Sequence, residues 1–490
     1  MTQLLPLAAF SIIEMGLLVW IVRAPHRAIW VLISLLPLHL VAMVLIYHFL
    51  QPPKSILSIY QGWKDAIIGV TLVRVALDRR GRAGQTIHYL DIGFGLLAVI
   101  ATTSIALHAT LGLPQQLLAL RNDYLFLLLY AIGRLSWAPP GTIDRTLLLI
   151  AAVWLTIALG AGLEVLVNPT RLLLAIDLPG YDKFNFQAIF LHDPPLPYSF
   201  YTSDNHWRAG SLLLSPVDLA ESSAVAIGAG LALARARGTA SLSRRFMNTA
   251  GLITVVAGLF TTIASRGRAQ LLLSPVLIAV GAAPALAHRV PWRNIDLRLR
   301  IVLSASLTAL ACLGLVIVMP DAVPFLVRTL HLEDPSSLSH FNALRRFTDA
   351  FSHNWLIGGG LGTSGSVGAR FGATAGEGQL LTITSDLGDI GLLLAVGLLL
   401  ASLVHVLRVP HDSELRRLAT VAAVGLTAII LILPIAEVFS NLLLMSITFW
   451  TLGQIVRLQT STAIDGDAEV IHQPMGPLAR HEHASKTSYD

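Results

Sequence analysis

Two arginines and a polar insertion carry the side chains with which this sequence could do chemistry. Arg208 stands in Trp207-Arg208-Ala209-Gly210-Ser211, directly before an apolar run, and Arg266 stands in Ala264-Ser265-Arg266-Gly267-Arg268-Ala269, between two more. A guanidinium in so tight a connection either snorkels to lipid headgroups or meets an anion. Two of them at one depth match a lipid-linked phosphate or pyrophosphate, which bidentate arginines bind well. Lys64, in Trp63-Lys64-Asp65, is a further cation able to touch a lipid phosphate; its other reading is an interfacial anchor.

The insertion runs from Pro320 to Ser385 and holds three histidines, four arginines and nine glycines. Its spacing predicts a helix over 341–351, with Phe341, Leu344, Thr348 and Phe351 on one face. At 100° per residue Asn342, Arg346, Asp349 and His353 share the opposite face, with Arg345 at the border. An imidazole beside a carboxylate and a guanidinium suits proton transfer near neutral pH. The glycines that follow let the backbone approach a ligand closely. The plainer alternative is a solvated loop helix with a flexible linker after it.

The elements that must position these groups lie in a membrane. Of 490 residues 54% are hydrophobic and only 13% charged, too apolar for a soluble chain. About thirteen apolar runs approach the span length of roughly 20 residues, near 5–22, 29–50, 63–78, 91–108, 122–136, 146–167, 215–235, 248–264, 270–288, 299–319, 386–407, 418–436 and 440–457. They are read as helices because backbone in lipid must satisfy its own hydrogen bonds. The expected fold is an all-α polytopic membrane protein of about 12–13 transmembrane helices with two outside loops, the larger partly helical.

Positive charge orients the spans. With the N-terminus outside, 21 of the 34 Lys and Arg fall inside, including every strongly basic cluster, and twelve fall outside. The organisation expected is a scaffold over 1–167, an outside loop over 168–214, central helices over 215–319, the large outside loop over 320–385, C-terminal helices over 386–457 and an inside tail over 458–490, read as disordered. The first loop is rich in proline and aromatics, which suggests a folded cover on the membrane surface. Glu14 in the first run is a carboxylate at membrane depth, expected to face the bundle interior, and the sixth run carries Glu164 near its outer end. The basic balance follows from topology and gives no reason to expect nucleic acid. The lone Cys312 forms no internal disulfide, and no Cys/His metal spacing occurs.

Four short segments in this order resemble the O-antigen ligase and O-antigen/exopolysaccharide polymerase superfamily of bacterial membrane glycosyltransferases. Arg208-Ala209-Gly210 with Pro216 is similar, with one residue fewer before the glycine, to the family's Arg-x-x-Gly…Pro element, and Ser265-Arg266-Gly267 to its Ser-Arg-Gly signature. Trp355 to Gly362 is similar to its Gly-rich segment, and Asp386-Leu387-Gly388-Asp389-Ile390-Gly391 to the acidic-Leu-Gly…Gly start of the next span. The resemblance covers roughly the second half of the chain. Where ligases carry a His-Asn pair, Glu377-Gly378 stands, closer to polymerase-type members. His340 stands where the family carries an arginine, with Arg345 or Arg346 able to compensate.

The resemblance implies an inverting, metal-independent transfer without cofactor, outside the bacterial inner membrane. A glycan on undecaprenyl pyrophosphate passes to a sugar hydroxyl, on a growing glycan in a polymerase or on lipid A-core in a ligase. Such chemistry needs a base for the hydroxyl and positive charge on the leaving group. Arg208 and Arg266 supply the charge; Arg345, Arg346, His340, His353 and Lys64 are candidates to hold substrate. Glu377 is ranked first as the base, with His353 next and Asp349 and His340 behind. A transporter or lipid flippase is the reading from another class, but no internal repeat is evident and the polar residues gather at one surface.

Overall fold

The computed structural model describes residues 4–78, 85–139, 141–167, 169–186, 196, 198–201, 207–235, 243–289, 356–372, 378–410 and 415–471, with single residues and short pieces between 331 and 349. The described chain is helical, apart from an isolated bridge between Tyr201 and Trp207. In order the helices are α1 (Leu4–Arg23), α2 (Arg27–Leu50), α3 (Lys54–Gln61), α4 (Trp63–Leu77), α5 (Tyr89–Leu107), α6 (Leu113–Asp123), α7 (Leu125–Leu135) and α8 (Thr142–Val167). There follow α9 (Pro169–Ala175), α10 (Leu178–Phe186), α11 (Pro216–Leu233), α12 (Arg244–Ala264) and α13 (Arg268–Arg289). Beyond these come α14 (Gly365–Arg370), α15 (Gln379–Leu407), α16 (Leu415–Ile432) and α17 (Leu442–Ile471).

Eight of these helices are long and apolar enough to cross a membrane: α2, α5, α8, α11, α12, α15, α16 and α17 as far as Ser461. The chain is an all-α polytopic membrane protein. The short apolar runs expected near 63–78 and 122–136 form helices of 15 and 11 residues, α4 and α7. The run expected at 299–319 lies outside the described residues.

Of the spans, α11, α16 and α17 are the most enclosed. Small residues make that possible, because lipid gives no hydrophobic drive between helices and close backbone packing must replace it. Gly230 of α11 and Gly251 of α12 illustrate it: a Cβ on either would lie about 2.5–2.6 Å from the other's carbonyl oxygen. A second, smaller core sits over the end of α2, where Met43, Val44, Leu57 and Tyr60 pack with Leu173, Leu178, Tyr181 and Phe200. The segment after α8 therefore folds onto the bundle with apolar contacts of its own.

At one end of the bundle, arginines tie helix termini together. Arg134 pairs with Asp91 at 3.0 Å and donates to Gln85 and to the Thr86 carbonyl, both at 2.8 Å. Arg417 pairs with Asp144, Arg235 donates to Thr420 (3.0 Å), and Arg457 to the Leu135 carbonyl (3.1 Å). These residues belong to the clusters that charge counting put on one side. The C-terminal ends of α8 and α12, the N-terminal ends of α4 and α11 and the α5–α6 connection make up the other end.

Candidate functional site

At that other end the chain segment before α11 is clamped from two sides. Glu164 of α8 is 3% exposed, and its carboxylate accepts from the Gly210 and Ser211 amides at 2.9 and 3.0 Å. Ser211 also donates its hydroxyl to the Ile157 carbonyl at 2.6 Å. On the far side, the Ala209 amide donates to the Ala264 carbonyl at 3.0 Å, and Arg208 Nε donates to the Ser265 carbonyl at 2.8 Å. These two bonds cap the C-terminal carbonyls of α12, a place that suits a cation. Arg208 is thus held against the turn that presents Arg266.

That turn explains the order Ser-Arg-Gly. Ser265 is fully buried and donates to the Thr262 carbonyl, closing the helix. Arg266 has φ +48°, in the left-handed region, and its side chain is exposed. Gly267 lies so close to Ala220 of α11 that a side chain would collide with it. The reversal therefore holds Arg266 outward, with strain of about 1–2 kcal/mol for a residue with a Cβ.

Beside this clamp is a cavity of about 280 Å³ whose walls include Lys64, Arg121, Arg370 and Asp218. Asp65 grips Arg121 from α4, taking Nε at 2.9 Å and Nη2 at 2.8 Å. Burial, and then the Arg121 charge facing it, lower the pKa of Arg370. On the same wall His39 Nδ1 accepts from Trp63 Nε1 at 2.9 Å. Indole nitrogen only donates, so a neutral His39 carries its proton on Nε2. Gln61 and Asn185 donate to the Tyr181 hydroxyl at 3.1 and 3.3 Å. Asn441 is turned inward, donating to Glu221 (3.1 Å) and accepting from Ser222 (2.9 Å).

The Gly-rich segment 356–372 is packed into this end of the bundle. Leu361 is fully buried, and Gln115 of α6 donates to the Gly362 carbonyl at 2.7 Å. Asp386 accepts from the amide and hydroxyl of Thr363, both at 3.1 Å. Glu437, in the break between α16 and α17, accepts from the Ser366 amide at 2.8 Å. Together these bonds bring α14, with Arg370, to the cavity wall.

Of the residues singled out from sequence, Arg208 is joined to the Arg266 turn, and Lys64 lines the cavity. Arg345 and Arg346 are exposed, and Arg346 Nε donates to the Asn342 carbonyl one turn earlier at 3.5 Å. Phe347 packs on the core, while Phe341 and Thr348, two of the residues expected on the apolar face, are exposed. Glu377, His340 and His353 lie outside the described residues. Arg121, Arg370 and Asp218 were not anticipated as a group. Asp218 and Glu221 inside an apolar run were the available signal, since intramembrane carboxylates face protein or a cavity.

Among the described residues no three His, Cys, Asp or Glu side chains come together to hold a metal ion. Compared with known proteins, the chain matches no protein-family model and no curated protein.

Proposed function

We propose that the chain is an inverting glycosyltransferase of the bacterial inner membrane, moving a glycan from an undecaprenyl-pyrophosphate donor to a sugar hydroxyl on the periplasmic side. The observation that carries this reading is the joining of Arg208 to the Ser265-Arg266-Gly267 turn by the 2.8 Å bond to the Ser265 carbonyl. Two segments 57 residues apart in sequence thereby set one guanidinium beside the turn that carries the other. Arranged so, they suit a pyrophosphate leaving group.

In the transfer, the acceptor oxygen bonds to the anomeric carbon as the bond from that carbon to the pyrophosphate oxygen breaks. The electron pair leaves with the pyrophosphate, where the arginines stabilise the charge. The hydroxyl proton passes to a base, for which Glu377 is the first candidate and His353 the second. Glu377-Gly378 favours a polymerase extending its own product over a ligase acting on lipid A-core.

The test uses the purified chain in lipid nanodiscs with lipid-linked donor, and product length is read on a gel. Wild type is expected to elongate the glycan, while Arg208→Ala and Arg266→Ala lose about 10²–10³ in rate, the effect of removing one transition-state contact. Normally folded variants that still make long polymer overturn the role of the arginines. Transfer to lipid A-core alone replaces the polymerase reading with the ligase one.

A further inference from the structure

We infer that the cavity between α2, α4, α6, α10, α14 and the start of α11 is a binding site for an acidic sugar unit, one bearing a carboxylate or a phosphate. The charge of its walls points to an anion. Lys64, Arg121 and Arg370 bring three cations to one cavity, and Asp218 is the carboxylate among its lining residues. Asp65 neutralises part of Arg121 but holds only Nε and Nη2, so Nη1 lies outside that pair.

The hydrogen-bonding groups sharpen the choice. Lysine and arginine only donate, and His39, with Nδ1 occupied by Trp63, presents Nε2–H. A donor-rich wall suits a ligand that brings acceptors, as a carboxylate or phosphate does. Around these donors stand Gln61, Asn122, Asn185 and Tyr181, groups that match sugar hydroxyls. Leu36, Leu40 and Leu118 give an apolar wall for the ring face. A volume of about 280 Å³ is at the lower edge of ligand pockets, which run roughly 300–1,000 Å³, and admits one sugar with its acid group.

Arg208 and Arg266 are not on these walls, so the cavity is a second anion site beside the one assigned to the leaving group. That the sugar is a unit of the transferred or accepting glycan rests on the glycan-transfer reading; the binding itself does not.

Calorimetric titration of the purified chain in phosphatidylcholine nanodiscs tests this, with glucuronate, glucose 6-phosphate, glucose and inorganic phosphate as probes. The acidic sugars are expected to bind at least about tenfold more tightly than glucose and than inorganic phosphate, each acid–sugar contact contributing in the range of a charge-assisted hydrogen bond. Arg370→Gln and Lys64→Met are each expected to erase that preference, and a thermal melt identifies any variant that has unfolded; the other then decides. Equal binding of glucose, or a preference that survives both folded variants, overturns the proposal. Inorganic phosphate binding as tightly as glucose 6-phosphate overturns the sugar, and loss of sugar binding in phosphatidylglycerol nanodiscs assigns the cavity to a lipid headgroup instead. No donor lipid is present, so failure of this titration and failure of the transfer assay are separate results.

Discussion

Gly358 and Gly388 meet backbone to backbone, and through them the Gly-rich segment is seated against a broken span. A Cβ on Gly358 would lie 2.5 Å from the Gly388 amide nitrogen, and one on Gly388 would lie 2.5 Å from the Leu356 carbonyl. Both residues have positive φ, +72° and +70°, and Gly388 interrupts the helical geometry of α15. The Gly359 amide bonds the Ser385 carbonyl at 2.7 Å just before that interruption.

Alanine at either position should therefore be costly. Left-handed strain contributes about 1–2 kcal/mol and overpacking about 1–3 kcal/mol, so a loss of about 2–5 kcal/mol is expected. Gly372 is the control, with φ +88° and open space around its Cβ position. Gly372→Ala should show only the strain. Thermal melts in one detergent compare the three, and a Gly358→Ala melt no lower than that of Gly372→Ala would contradict the close approach.

Hydropathy made the membrane class legible in the sequence, and charge counting grouped Arg134, Arg235, Arg417 and Arg457. Both depend on sums over many residues, which local geometry does not disturb. The Arg208 and Arg266 elements were legible as well, because a cation between two apolar runs has few places to go. The helix beginning at Gln379, seven residues before the expected start of its span, was not. Gln379, Thr382 and Thr384 look like loop in a hydropathy count but are fully or nearly fully buried, and Gln379 accepts from the Phe439 amide at 3.1 Å. The cavity was not legible either. Lys64, Arg121, Asp218 and Arg370 come from four distant segments, and no periodicity reports a long-range meeting.

Glu164 positions Arg208 through the two amides that it holds. Glu164→Ala leaves the buried Gly210 and Ser211 amides without that acceptor, at about 1–3 kcal/mol each. Glu164→Gln keeps an acceptor oxygen at the same place and should be the milder change. Both the melt and the transfer rate are expected to rank wild type first, glutamine second and alanine last. Rescue by glutamine in the melt but not in the rate would mean that the charge of Glu164 acts on the reaction itself.

Asp182 of α10 is 8% exposed, and burial pushes its carboxyl up from 3.8 to about 7. A carboxyl raised in the folded state contributes stability that is complete below the unfolded pKa and is lost as pH rises through the folded one. The loss falls between about pH 4 and pH 7 and is at most about 4 kcal/mol at 1.36 kcal/mol per unit. Asp182→Asn removes the ionisation. It is expected to raise the melting temperature at pH 8 relative to wild type and to change it little at pH 4. An equal effect at both pH values would place the cause in packing.

Arg266 allows its charge to be separated from its backbone. At φ +48° the position suits glycine, so Arg266→Gly relieves left-handed strain of about 1–2 kcal/mol while giving back about 0.5–1 kcal/mol through a more flexible unfolded chain. The melt is then expected to stay within about 1 kcal/mol of wild type, in contrast to variants that disturb Gly267 against Ala220. The side chain is exposed, so no core contact is lost with it. If the guanidinium stabilises the departing pyrophosphate, transfer should nonetheless fall by about 10²–10³. Arg266→Lys retains a point charge without the planar fork and should recover part of that loss. A glycine variant that folds normally and transfers at the wild-type rate would reduce Arg266 to a turn residue, and the leaving-group charge would have to come from Arg208 or from the cations of the cavity.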